Sequence, residues 1–265
     1  VANLPAAALQ MLGLDYKTLT TIKPDIILVA QSAFGSKGPD SKRGGFDGIG
    51  QAMSGAMFMA GTPGHPVKAA APYVDYSTAV LSAFGTLAAL MERERTGKGQ
   101  EVETTLLGTA LSVFNSHLIE QGVLGINRAP TGNRVQTSAP SDVFATRDGH
   151  VLVHTVGNGL FRRWARLVDR PELADDPRFQ TDQDRGDHRD EICGIMADWC
   201  KTRTSREAVA SASHGSFQAG QFSGSAPASA RGGHAGEIFR HRSGHPGTPA
   251  AFGRTHGRYP DRAWL

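Results

Sequence analysis

The chain has 265 residues, a formal net charge of +3 and 20% charged residues, an ordinary composition for a globular protein. Its Lys and Arg residues are scattered along the chain, whereas nucleic-acid-binding proteins gather them on one element, so no nucleic-acid partner is expected. No uninterrupted apolar run is long enough to span a bilayer, and we expect no membrane partner.

The chain begins Val1-Ala2-Asn3, without an initiator Met and without the pattern of a signal peptide. We therefore interpret it as an N-terminally truncated piece of a longer protein. The two cysteines, Cys193 and Cys200, share one predicted helix, and their spacing favours a common helical face over a disulfide. Buried free thiols are typical of a reducing compartment, which predicts a cytoplasmic location.

The first predicted domain, residues 1–118, has the alternating elements of an α/β protein. Residues 6–21 predict a helix and its exit, with a break at Gly13. The β-branched run Ile26–Ala30 predicts a buried parallel strand. Ligands bind beyond the carboxyl ends of such strands, so the loop Gln31–Gly38 is a candidate binding edge.

A second group of elements follows in this domain. We predict a buried helix over Ile49–Ala60 and a long helix over Tyr76–Arg95, which Gly97 and Gly99 end. A strand, Glu101–Thr105, and a helix over residues 106–118 complete the domain. Apolar positions of the long helix recur with helical period: Val80, Leu81, Phe84, Leu87, Ala88 and Met91.

Residues 119–135 are predicted to be a linker, and residues 136–205 a small α+β domain. In that domain, Val143–Thr146 and Val151–His154 flank the turn Arg147-Asp148-Gly149 and predict a β-hairpin. Two helices follow, marked by apolar positions around Trp164 and Trp199.

Residues 206–265 form a low-complexity tail rich in Gly, Ser, Ala, Pro, Arg and His. From Ser211 onward, neither helical nor strand periodicity is visible, and such composition buries too little apolar area to offset ordering entropy. Two interpretations stay open: a disordered tail, or a frameshifted reading of a GC-rich gene. The histidines of the tail, such as His241 and His245, lie outside any helical pattern and predict no metal site.

Asp75 stands immediately before the predicted long helix, and two interpretations of it are compatible. The structural interpretation is a helix N-cap, for which Asp is favoured. The functional interpretation is a nucleophile, because the positive end of a helix keeps a carboxylate ionised at neutral pH. Residue spacing alone does not separate them.

Four blocks of sequence make the chain resemble the family III CoA-transferases, a family that includes formyl-CoA transferase and carnitine CoA-transferase. The resemblance extends over about residues 1–205 and, by our expectation, not into the tail. The blocks are Leu12-Gly13-Leu14-Asp15-Tyr16 with Lys23-Pro24-Asp25; Ser32-Ala33-Phe34-Gly35 with Gly38-Pro39; Gly45-Phe46-Asp47 with Gln51-Ala52-Met53-Ser54-Gly55; and Val74-Asp75 with the segment Glu92-Arg93-Glu94-Arg95-Thr96-Gly97-Lys98-Gly99-Gln100.

The resemblance implies that Asp75 is the catalytic carboxylate, which moves CoA between carboxylic acids through an aspartyl-CoA thioester. CoA and acyl-CoA are then the substrates, and no metal is needed. The family fold implies part of a Rossmann-like large domain, a small α+β domain and a homodimer of interlocked chains.

The resemblance also implies that Asn3, Gln31, Ser32, Ala33 and Phe34 contact CoA. Two departures from formyl-CoA transferase put the substrate class in doubt: Pro5 replaces an Arg, and Ser32 replaces a Lys.

Two rival functions remain. The first is racemase-type proton transfer on the same scaffold, as in alpha-methylacyl-CoA racemase, whose catalytic His falls at the position of Phe46. Phenylalanine accepts no proton, which disfavours this chemistry. The second is an inactive, truncated remnant.

Overall fold

The structure, a computed structural model, describes residues 1–214 and 219–222. The residues Val1–Phe222 form one compact unit with two separate sheets. Its first part contains α1 (Ala6–Met11), α2 (Tyr16–Ile22), β1 (Ile27–Ser32), α3 (Asp47–Met53), α4 (Ala56–Ala60), α5 (Tyr73–Thr96), β2 (Gln100–Thr105), α6 (Leu106–Val113) and α7 (Asn115–Ile119).

The second part follows a π-helical turn at Glu120–Leu124. It contains β3 (Ser141–Ala145), β4 (His150–His154), α8 (Asn158–Leu167), short 3-10 turns at Pro171–Ala174 and Pro177–Phe179, α9 (Asp182–Asp187), α10 (Arg189–Lys201), α11 (Ser205–His214) and β5 (Ala219–Phe222).

Strands β1 and β2 pair in parallel, from Ile27 opposite Gln100 to Ser32 opposite Thr105. The predicted buried parallel strand is confirmed, because Leu28, Val29 and Ala30 are buried. Helix α5 connects the two strands and packs against both. In such a crossover the helix begins at the carboxyl edge of the sheet and runs back along it, which places the start of α5 at the candidate binding edge.

Helix α5 ends where we predicted, at Gly97, whose backbone lies in the left-handed region at φ 71° and whose N–H donates to the Arg93 carbonyl at 2.7 Å. Small and polar residues of α5 face the sheet, including Thr78 and Ser82. The apolar stripe points outward and is exposed at Val80, Phe84 and Met91. By length and composition alone α5 could cross a membrane, but the core helix of a soluble protein passes the same test.

Glycines interrupt the helices of the first part at two places. Gly13, at φ 66°, separates α1 from α2, so the predicted break is confirmed, while the residues after it form a second helix where we predicted an exit. Gly55, at φ 84°, separates α3 from α4, so the single buried helix predicted over Ile49–Ala60 is wrong. Phe58 of α4 is 52% exposed, so this segment is not fully buried either.

The predicted hairpin is confirmed: β3 and β4 pair antiparallel, with Ala145 opposite His150. Behind the hairpin lies an apolar core that includes Phe161, Trp164 and Phe179. Both cysteines are free and buried in this core, as expected. Burial raises the pKa of both thiols, that of Cys200 to about 11.

The segment that we predicted as a low-complexity tail, from residue 206, contains folded elements at its start. Helix α11 starts at Ser205 and continues to His214, and its Ala208 and Ala212 are buried in the core. Strand β5 then pairs antiparallel with β4, so the sheet has three strands. The rest of the predicted tail, with His234, His241, His245 and His256, lies outside the described residues.

The predicted linker, residues 119–135, contains the π-helical turn and an ion pair of 2.9 Å between Arg128 and Glu120. The division into a large and a small domain stays a prediction.

Candidate active site

The predicted CoA-contacting residues meet at the carboxyl edge of the β1–β2 sheet. Ala2 forms a parallel bridge to β1, since its N–H donates to the Val29 carbonyl and its carbonyl accepts from the Gln31 N–H, both at 2.8 Å. Asn3 therefore follows directly at the end of this extra strand, beside the segment Gln31–Phe34. Gln31 and Ser32 still belong to β1, so the predicted loop starts two residues later than expected, and we call Gln31–Phe34 the loop for its position at the sheet edge. Its side chain is exposed.

Two residues of the loop are engaged inside the protein. Gln31 donates from Nε2 to Ser82 Oγ of α5 at 2.7 Å, and Ser82 Oγ lies 2.6 Å from Thr104 Oγ1 of β2. Ala33 is buried, and its carbonyl accepts from the Leu107 N–H at 3.1 Å. These two positions fix the loop to α5 and α6.

The remaining two residues shape the outer face of the loop. Ser32 Oγ accepts from the Gly35 N–H at 2.9 Å, in a turn that Gly35 allows with its φ of 88°. Phe34 is half-buried, and the Arg43 guanidinium lies 5.4 Å from the centre of its ring. Contact of these residues with CoA stays a prediction.

Asp75 is the third residue of α5, in its first turn, and its side chain is exposed. The helix begins at Tyr73 with Pro72 at the N-cap, so the interpretation of Asp75 as the N-cap is wrong. Asp75 lies seven residues before Ser82, or roughly 10 Å along the helix axis at 1.5 Å per residue. It thus stands at the same edge of the sheet as the Gln31–Phe34 loop.

The capping role belongs to Asp47, the first residue of α3. Its Oδ1 accepts from the backbone N–H groups of Val74 at 2.8 Å and of Asp75 at 3.3 Å. These amides are among the donors that a helix start leaves without partners. Among the residues that the structure describes, the Asp75 carboxylate accepts no hydrogen bond and pairs with no cation.

Asp47 is held in place by a second buried residue. Its Oδ2 accepts from Gln51 Nε2 at 2.5 Å, and Gln51 Oε1 accepts from the Ala69 N–H at 2.9 Å. Asp47 is 6% exposed and Gln51 1% exposed. The network therefore links α3 to the segment that leads into α5.

A glycine allows α3 to approach α5 closely enough for this contact. A Cβ atom at Gly50 would lie 2.9 Å from Val74 Cγ1 and 3.4 Å from Ala110 Cβ, closer than ordinary packing allows. Sequence reasoning missed Asp47, although it stands in one of the blocks that carried the resemblance. No local pattern marks it, because its partners lie 27 and 28 residues further along the chain.

The surroundings of Asp75 disfavour its charged form. Partial loss of hydration at the helix start raises the pKa of the Asp75 carboxyl, and the negative charge of Asp47 raises it further. The same two causes raise the pKa of the Tyr73 hydroxyl. A carboxylate of raised pKa is more basic, and at a given protonation state more nucleophilic, than an ordinary one.

Phe46 lies immediately before Asp47, at the N-cap of α3, and is 83% exposed. Its benzyl side chain offers no group that accepts a proton.

A cleft of about 470 Å³ lies elsewhere, between α4 and residues 114–137. Its walls include His117, stacked on Phe114 with 4.7 Å between ring centres, and the Arg128–Glu120 ion pair. None of the predicted site residues lines it. Within the described ranges, no three His, Cys, Asp or Glu side chains gather as metal ligands would, and the expectation of a metal-free site stays a prediction.

A parallel β–α–β unit beside an antiparallel sheet makes this a mixed α/β protein, with the Asp75 carboxylate in the first turn of the crossover helix. The family model for CoA-transferase family III matches residues 1–263, and the chain belongs to this family. The match runs through the segment that we expected to lie outside the resemblance, so that expectation was wrong.

Curated relatives carry the names of CoA-transferases. The chain is 34% identical over 199 residues to succinyl-CoA–D-citramalate CoA-transferase of Chloroflexus aurantiacus, covering 74% of this chain and 50% of the relative. It is 33% identical over 192 residues to acetyl-CoA:oxalate CoA-transferase of Acetobacter aceti, covering 72% and 49%. Human succinyl-CoA:glutarate CoA-transferase is 29% identical over 200 residues, covering 75% and 45%.

Solved structures share the fold. A CAIB/BAIF family protein from Brucella suis matches with a TM-score of 0.69 and 28% identity, covering 83% of this chain and 58% of that one. A hypothetical protein from Mycobacterium tuberculosis matches with a TM-score of 0.70 and 25% identity, covering 82% and 58%. The chain thus spans about half the length of the curated relatives it matches.

Proposed function

We propose that the protein containing this chain transfers CoA between two carboxylic acids, with the Asp75 carboxylate as the nucleophile. The observation that carries this proposal is that, at the start of α5, one carboxylate caps the helix and a different one is left exposed. Asp47 accepts from the amides of residues 74 and 75, and within the described residues the Asp75 side chain makes no hydrogen bond that would explain its presence. The family membership and the names of the relatives support the reaction class.

The proposed reaction conserves the thioester bond energy. An Asp75 oxygen attacks the thioester carbon of the donor acyl-CoA, the C–S bond breaks, and a mixed anhydride and CoA thiolate form. The thiolate attacks Cγ of Asp75, which gives an aspartyl-CoA thioester and releases the donor acid. The acceptor carboxylate attacks this thioester, the C–S bond breaks, and a second mixed anhydride and CoA thiolate form. The thiolate then attacks the acceptor carbonyl carbon of that anhydride, which gives the acceptor acyl-CoA and releases the Asp75 carboxylate.

The loop at the sheet edge is proposed to hold the CoA substrate. Asn3, Ser32 and Phe34 stand on its outer side, whereas Gln31 and Ala33 fix its shape from within. Basic residues at and after this loop, Lys37, Lys42 and Arg43, suit the phosphates of CoA. The donor and acceptor acids are expected to be small carboxylic acids of the kind named for the relatives.

The finer points of architecture and location are also proposals. We infer that the whole protein has a Rossmann-like large domain and a small α+β domain, and that it forms a homodimer of interlocked chains. We also infer that it acts in the cytoplasm. Its two buried free thiols agree with a reducing compartment.

The proposed function is tested with Asp75→Asn and Asp75→Ala in the full-length protein. Incubation of the wild type with an acyl-CoA, followed by hydroxylamine, should convert Asp75 into a hydroxamate that peptide mass spectrometry detects. Both variants should lose the adduct and at least about a thousandfold of the transfer rate, because the nucleophile is gone. Asp198→Asn is the matched control, since that exposed carboxylate of α10 pairs with Lys201 of the same helix and lies outside the proposed site.

Retained transfer in Asp75→Ala, or a wild type without an adduct on Asp75, would refute the proposal. Exchange of the α-proton of a 2-methylacyl-CoA in heavy water, without CoA transfer, would instead favour the racemase-type alternative. Absence of both activities and of CoA binding would identify a remnant.

A further inference from the structure

The Asp47 carboxylate has no part in the bond-making steps, yet it is among the most buried charged groups near Asp75. It lies at the start of α3 and binds two backbone amides of α5, one of them the amide of Asp75 itself. Gln51 ties its other oxygen to the backbone at Ala69. The contact therefore joins three segments at the point where Asp75 stands.

The cap that Asp47 provides changes the electrostatic environment of the Asp75 carboxylate. A carboxylate in the first turn of a helix is normally stabilised by the free amides and by the macrodipole. Here Asp47 occupies the amides of residues 74 and 75 and brings a like charge. Asp75 is held in position through its own backbone, while its carboxylate keeps lone pairs free for attack.

We propose that Asp47 is a positioning residue for the Asp75 nucleophile: it fixes the first turn of α5 and withholds the helix amides from the Asp75 carboxylate. This inference rests on the proposed function and deepens it. Asp47 does not touch the reacting atoms and acts through Asp75.

Few other ionisable groups bear on this pair. Tyr73 lies on α5 itself, and Lys68 precedes it, with its Nζ donating to the Ala69 carbonyl at 2.9 Å. Helices α4 and α6 and strand β1 contribute no ionisable side chain. On β2, Glu103 accepts from the Ser36 N–H at 2.5 Å, and Glu101 precedes it on the same strand. Asp47 is the charged group whose repulsion raises the pKa of the Asp75 carboxyl.

The first test measures the titration of Asp75 directly, in this chain and without substrate. The Asp75 carboxyl carbon is followed by NMR in ¹³C-aspartate-labelled wild type, Asp47→Asn and Asp47→Glu, with Asp75→Asn to assign the signal. Asp47→Asn keeps the shape and an accepting oxygen but loses the charge, so the pKa of Asp75 should fall toward its ordinary value. Asp47→Glu keeps the charge and should keep the pKa raised. An unchanged Asp75 titration in Asp47→Asn would overturn the proposal.

The second test uses a variant that alters only an exposed side chain. If Asp47 caps α5, Asp75→Ala should not lower the thermal midpoint at pH 7. The sign follows from linkage: a carboxyl whose pKa is raised on folding costs stability once pH rises above its ordinary pKa, and Ala removes that cost. Asp15→Ala is the control, because Asp15 is a true N-cap that accepts from the Thr18 N–H at 3.1 Å, and alanine cannot replace that hydrogen bond.

A lower midpoint for Asp75→Ala, comparable to that of Asp15→Ala, would show that Asp75 caps the helix and would overturn the proposal even if Asp47→Asn fails to fold. Both tests are independent of turnover. A wild type that forms no aspartyl adduct would refute the proposed function, while an unchanged Asp75 titration beside a normal adduct would refute only the role of Asp47.

Discussion

Replacing Ser82 by alanine should destabilise the protein and loosen the loop that we propose for CoA. Ser82 is 4% exposed, and its hydroxyl accepts from Gln31 Nε2, contacts Thr104 Oγ1 and lies 2.7 Å from the Thr78 carbonyl. The substitution leaves the Gln31 amide without its partner on α5. That loss costs about 1–3 kcal/mol for a buried donor.

A smaller effect opposes this cost, because alanine favours the helix over serine by about 0.5 kcal/mol. The net loss is about 0.5–2.5 kcal/mol, which lowers the thermal midpoint by about 1–10 °C at this chain size. Calorimetry measures the midpoint, and CoA titration of the full-length protein measures the effect on binding. We expect weaker CoA binding because Gln31 no longer anchors the loop.

Thr86→Ala is the matched control. Thr86 lies one turn further along α5 and is half-buried, but its hydroxyl donates only to the Ser82 carbonyl of its own helix, at 2.7 Å. It should lose less stability and leave CoA binding unchanged. Equal losses in the two variants, or unchanged CoA binding in Ser82→Ala, would refute the reasoning that Gln31 transmits the change.

Two predictions concern the second sheet and its core. Trp164 is fully buried and donates from Nε1 to Met196 Sδ at 3.2 Å, so Trp164→Ala should lower the free energy of unfolding by about 3–5 kcal/mol in urea titrations; a loss below about 1 kcal/mol would contradict the packing described. Cys193 and Cys200 should react with a thiol reagent at pH 8 only after denaturation, because burial raises the pKa of both thiols. Rapid reaction of the native protein would contradict their burial.

The sequence predicted those elements whose signals are local. The run Ile26–Ala30 is apolar and β-branched, and it lies almost entirely within β1. The stop at Gly97 follows from the left-handed backbone that glycine tolerates, and the structure shows it. The hairpin was predictable because a short turn separates two runs of strand-forming residues.

Predictions failed where a contact between distant segments or a single glycine determines where a helix begins or ends. Gly55 breaks the helix predicted over Ile49–Ala60, although its neighbours favour a helix. Helix α11 was not predicted because Ala208 and Ala212 look neutral in sequence, yet their small side chains fill the core behind the hairpin. A low-complexity composition did not reveal that packing.

The helical period of α5 predicted the helix but not which face the sheet would cover. The described contacts use the polar side, where Thr78 and Ser82 satisfy their hydroxyls on backbone carbonyls of the same helix. The apolar stripe is exposed. Periodicity measures the segregation of side chains around a helix, whereas the partner of each face depends on elements elsewhere in the chain.

The sequence by itself determined β1 and most of α5 and singled out Asp75, because local steric preferences and the blocks shared with the family can be recognised from neighbouring residues. Only the tertiary structure decided that the Asp75 carboxylate does not cap α5. Asp47 takes the helix amides from 27 residues away, since the close approach at Gly50 brings α3 against α5. Hydrogen bonds between distant segments leave no spacing pattern, and so the cap and the nucleophile could be told apart only in three dimensions.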